Sequence, residues 1–178
     1  MGMHHRTIRI VTALCVGLLA AFATSCTDPV KDRRAIERLG PEQGGVSEGP
    51  EHRPGQPCVL CHSDGGPASN HKFALAGTIF ETAKGDKGAA NVGVYFIDSA
   101  GDDRHIVFTN GVGNFYVPES DWPELTFPLK TAIKREGGVP VSMQSTINRE
   151  GSCNFCHQLP GGDPRDSIGP IFAPGGGT

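Results

Sequence analysis

Glycine and proline decide most of what this chain can fold into. It carries 25 Gly and 14 Pro in 178 residues, about a fifth of its length, without the strict period of a collagen. An interior Gly costs a helix about 1 kcal/mol and an interior Pro about 3 kcal/mol, so long helices are excluded and short strands between turns are favoured. Between residues 73 and 143 six such strands can be read: LAGTIF at 75–80, NVGVYFID at 91–98, HIVFTN at 105–110, NFYVP at 114–118, TFPLKTAIK at 126–134 and VPVSM at 139–143. Pro118 cuts the fourth short, and Pro128 near the start of the fifth argues for an edge position. No segment in this stretch has a 3.6-residue apolar period. The pattern predicts a mainly β fold, a small sandwich or partly open barrel.

The two ends of the chain are different. HHRTIR at 4–9 is followed by the uncharged run IVTALCVGLLAAFA at 10–23, shorter than the roughly 20 residues that span a bilayer. This is the n-region and h-region of an export signal. Ala21-Phe22-Ala23 offers an ordinary cleavage site, and Ala23-Thr24-Ser25-Cys26 resembles a bacterial lipoprotein box. The expectation is a signal peptide over 1–25, with Cys26 lipidated and the mature protein in the periplasm or outer envelope. Its removal takes Arg6 and Arg9 away and moves the formal net charge from -3 to -5. No basic stripe is present, which argues against a nucleic-acid partner. Residues 26–57, with KDRRAIERLG and then a stretch rich in Pro, Gly and charge, read as a flexible tether.

The chemistry lies in two pentapeptides, Cys58-Val59-Leu60-Cys61-His62 and Cys153-Asn154-Phe155-Cys156-His157. C-x-x-C-H is the pattern of covalent c-type haem attachment. Two thiols three positions apart reach the two vinyl groups of one porphyrin, and the next residue, a His, is placed under the iron. Two copies in one exported chain use all four cysteines downstream of Cys26. Other readings of the same residues are a site with four thiolates on zinc or two C-x-x-C disulfides. A thioredoxin-like dithiol lacks its βαβ context, and GDKG at 85–88 matches no nucleotide-binding fingerprint.

At these ten positions the chain resembles multihaem c-type cytochromes. The resemblance implies two covalent haem groups. Cys58 and Cys61 hold one, with His62 as its axial ligand, and Cys153 and Cys156 hold the other, with His157. For the sixth ligands, His71 and Met143 are the leading candidates, and His52 and His105 remain open. The middle of the chain resembles the Greek-key sandwich of carboxypeptidase-regulatory-like and transthyretin-like domains. Gly77-Thr78-Ile79, Val92–Asp98 followed by Gly101, and the hairpin Thr109–Tyr116 carry that likeness, which covers about 60–70 residues and implies a structural or binding module. The expected organisation is a first haem-attachment segment at 58–72, the sandwich at 73–143, and a second haem-attachment segment with the C-terminal tail at 144–178. The function expected is electron transfer between redox partner proteins, within reach of a membrane-associated complex. The alternative is a haem enzyme with an open iron, a peroxidase or small-molecule reductase.

Overall fold

Strand β1, Phe73–Phe80, is buried at every position from Leu75 onward. A strand with one wet face would alternate, so both faces of β1 must be covered. The computed structural model describes residues 29–42, 46–101, 105–160 and 167–175. The signal segment and Cys26 lie outside these residues. The first helix, α1, spans Pro29–Arg38. Residues up to Ala35 form a separate unit from Ile36–Thr178, and the second unit holds every other element.

In chain order that unit contains α2 (Cys58–Cys61), β1, β2 (Gly93–Ile97), β3 (His105–Phe108), β4 (Asn114–Pro118), a 3-10 turn at Glu119–Asp121, β5 (Lys130–Lys134), β6 (Val141–Ser142), α3 (Cys153–Cys156) and β7 (Ile171–Phe172). The strands make two small sheets, ordered β4-β1-β7 and β3-β2-β5-β6. All pairs are antiparallel except β1 with β7. The result is a mixed α/β fold of two small sheets and a few short helices.

One apolar core joins the sheets. Leu75 and Ile79 of β1 and Phe115 and Val117 of β4 meet Val94 and Phe96 of β2, with Leu129, Trp122 and Ala173 filling in. These residues alternate along each strand, so register sends one set inward. Trp122 is a core residue here, 3% exposed.

The other face of β1 is roofed by residues 48–57, which the sequence had suggested as tether. Gly55 N–H donates to Thr78 Oγ1 at 2.8 Å, and that hydroxyl donates to Asn114 Oδ1 at 2.8 Å. Asn114 Nδ2 in turn donates to the carbonyls of His52 at 2.9 Å and Pro50 at 3.2 Å, and Asn110 Nδ2 donates to Pro50 at 2.7 Å. Composition favoured a loose linker; a chain of paired buried polar groups on β1 and β4 overrides it.

Strand limits also shift. The fifth strand begins at Lys130 rather than residue 126, because Leu129 instead exchanges main-chain bonds with Ile147. The sixth shrinks to Val141–Ser142. β7 had no signal, since two apolar residues between Pro170 and Ala173 show no period.

Phe96 is fully buried between the sheets. Phe96→Ala is expected to destabilise the fold by about 3–5 kcal/mol, read as a lowered urea midpoint with unchanged slope; a loss below 1 kcal/mol would contradict the shared core.

Candidate functional site

The two pentapeptides fold identically. In each, the Cys-x-x-Cys stretch is a single helical turn. Leu60 N–H donates to Pro57 O at 3.1 Å and Phe155 N–H to Ser152 O at 3.0 Å; His62 N–H donates to Cys58 O and His157 N–H to Cys153 O, both at 2.9 Å. The loop after each motif then returns to hold it. Ala68 N–H donates to Cys61 O at 3.0 Å, and Ile168 N–H to Cys156 O at 3.1 Å. The first return is so close that a side chain at Gly66 would place its Cβ 2.1 Å from Cys61 O.

Each returning loop also fixes an imidazole. His62 Nδ1 lies 2.7 Å from the His71 carbonyl, and His157 Nδ1 lies 3.0 Å from the Gly169 carbonyl. A carbonyl only accepts, so Nδ1 carries the hydrogen in both rings and Nε2 keeps its lone pair. Burial pushes both imidazoles below their ordinary pKa, against the opposing pull of these carbonyls. His52 and His71 lower His62 further. Both rings are thus held neutral, with one nitrogen oriented by the main chain and the other free. Metal-ligating histidines are oriented in this way.

Both motifs dock on β1. Phe73 N–H, at the start of the strand, donates to His62 O at 3.0 Å, and Ala76 N–H donates to Gly151 O at 2.9 Å, two residues before Cys153. Gly77 makes room for the second motif, since a Cβ there would stand 2.8 Å from Cys153 Cβ. The 95 positions between Cys58 and Cys153 are therefore closed onto one strand. Burial raises the Cys58 thiol from 9.0 to about 11. Burial raises Cys153 to about 12, with Cys58 adding to it. Burial also raises Cys61. None of the four cysteines is in a disulfide. Among the described residues no group of three or more His, Cys, Asp or Glu is assembled to hold a metal ion.

A cavity of about 1290 Å³ opens beside the first motif, walled by Cys58, Cys61, His62, Phe73 and Tyr116, with Arg53 and His52 from the roofing segment. Small-molecule sites usually measure roughly 300–1,000 Å³, so a macrocycle is not too large for it. His62 is 8% exposed and stacks on Phe73 at 4.1 Å, which stacks on Tyr116 at 4.7 Å. At the second motif, Asn154 is fully buried and donates through Nδ2 to His157 O at 3.1 Å, while Phe155 is exposed. At the first motif the thiol pair, the oriented imidazole and the cavity together fit a covalently held haem.

The remaining candidates separate. His71 is exposed and lines the cavity, but its main chain stands at the Nδ1 edge of His62. Met143 is half-buried at the β5–β6 edge, its N–H bonded to Thr131 O at 3.0 Å. His105 pairs with Phe96 in the β2–β3 ladder; its side chain lies outside the described residues. The sequence carried no sign that the His71 and Gly169 carbonyls orient the two imidazoles, because a main-chain acceptor leaves no mark on residue type. Neither a protein-family model, nor a curated protein, nor a solved structure matches this chain.

The thiol environments differ enough to be read chemically. In protein made without haem, Cys156, which is exposed, is expected to react first with iodoacetamide. Cys58, raised to about 11, is expected to lag roughly 100-fold behind an unshifted thiol of equal access, with Cys153 slower still. Peptide mass spectrometry over a time course measures the order; equal rates at all four would show that the motifs are not packed as described.

Proposed function

We propose that this chain is an exported dihaem c-type cytochrome that passes electrons between redox partner proteins. The observation that carries the reading is the repeated hydrogen-bond set around the two C-x-x-C-H motifs, ending in a carbonyl-held imidazole at each. A lone pentapeptide folded this way carries little weight. Two of them, 95 positions apart and folded alike, are hard to account for without a shared ligand.

Cys58 and Cys61 would hold one haem as thioethers and His62 would ligate its iron; Cys153, Cys156 and His157 would do the same for the second. Bound haem supplies one-electron chemistry, and the protein tunes it through axial ligand, burial and hydrogen bonding. Here the chain's own contribution is specific. The His71 and Gly169 carbonyls fix the imidazole tautomers and raise their basicity as ligands. The shared strand keeps the two sites in one rigid element. The acidic mature chain favours basic partner surfaces, an attraction that weakens with salt.

In the same reading the two sheets and their common core are a Greek-key sandwich of the carboxypeptidase-regulatory-like kind. The protein is held to the periplasmic or outer face of a membrane by lipid on Cys26. No helix among the described residues is long and apolar enough to cross a membrane, in keeping with an anchor of that type.

Carrier and enzyme differ at the iron. A carrier is expected to give a reversible reductive titration and to leave its ferrous haems closed to carbon monoxide. Rapid carbon monoxide binding by the untreated ferrous protein, with peroxide or small-molecule turnover, would replace the carrier reading with the open-iron enzyme.

A further inference from the structure

His52 stands on the cavity wall beside His62, the ring centroids 5.8 Å apart and the planes at 41°. Its Nδ1 is buried and has no hydrogen-bond partner among the described residues. Glu42 Oε1 lies 3.6 Å away, beyond hydrogen-bonding range, and is engaged by Arg53 Nε at 3.0 Å. An unpaired buried ring nitrogen is destabilising. Yet the segment presenting it is firmly held. Asn114 binds the carbonyls of Pro50 and His52. Arg53 adopts a left-handed backbone, φ 49°, which a non-glycine residue takes at a cost. Its guanidinium is tied to Gln56 Oε1 at 2.8 Å and to Gly40 O at 3.0 Å. Polar side chains from separate parts of the chain converge on fixing a histidine whose Nδ1 is left without a hydrogen bond.

We infer that His52 is the sixth ligand to the iron held by His62, an assignment that rests on the haem reading above. The ring centroids stand 5.8 Å apart, a separation that leaves room for one metal ion bound by a nitrogen of each ring. His71, favoured by sequence position, is bound through its main chain to the far edge of His62, and Met143 belongs to the other sheet. The roofing segment thus closes the first iron to small ligands, and a bis-imidazole site sits at lower potential than a His/Met site.

The test uses the full-length, haem-loaded protein and compares wild type with His52→Ala at equal haem content, measured by pyridine haemochrome. His52→Ala is expected to raise the high-spin ferric share by one haem per chain and to gain one carbon monoxide site per chain, both reversed by added imidazole. His52→Met, which keeps a ligand and so guards against misfolding of the Ala variant, is expected to raise one of the two potentials and leave the other. A His52→Ala protein with its haem intact, low-spin as wild type and closed to carbon monoxide, overturns the assignment while leaving the haem reading standing. Wild-type protein without covalent haem removes both.

Discussion

The main-chain N–H groups of Phe73 and Ala76, bonded to the carbonyls of His62 and Gly151, attach the two halves of the candidate site to one strand. Everything else follows from what β1 must do to accept them. Its inner face enters the common core through Leu75 and Ile79. Its outer face needs a roof, supplied by residues 48–57 through Thr78 and Asn114. One edge takes β4 and the other takes residues 151–152 and then β7. Gly77 leaves the space that Cys153 occupies. Closing a long loop onto this strand costs little more than closing a short one, since loop entropy grows only with the logarithm of length.

The electrostatics of the site come from the same burial. Desolvation disfavours charge on thiols and imidazoles alike. It raises Cys58, Cys61 and Cys153 and lowers His62 and His157. Lowered imidazoles are in the ligating form. The carbonyls at His71 and Gly169 then choose which nitrogen is presented. A small protein thus arrives at two imidazoles, each oriented by a main-chain carbonyl.

Much of this was legible in residue order. The motifs, the strand tracts at 75–80, 91–98, 105–110 and 114–118, and the turn at Gly111–Gly113 could be read because alternation and turn chemistry are local. The limits of β5 and the existence of β7 could not, because Leu129 pairs with Ile147 and Ile171 with Ile79 across long separations. Residues 48–57 misled for a related reason: Pro, Gly and charge signal a linker, while the bonds that seat this segment come from Thr78, Asn110 and Asn114. His52 was hard to favour over His71 on spacing alone. The bond between His62 Nδ1 and the His71 carbonyl, and the unpartnered Nδ1 of His52, exist only in three dimensions.

The central claim is that both pentapeptides carry haem. Its most direct measurement is covalent haem per chain: intact mass and pyridine haemochrome on denatured, washed protein, expressed with haem-attachment machinery behind an efficient export signal. Two haems are expected, falling to one when Cys58 and Cys61, or Cys153 and Cys156, are replaced by Ser. A folded protein that holds no covalent haem would contradict it and return the four thiols to zinc and disulfide chemistry.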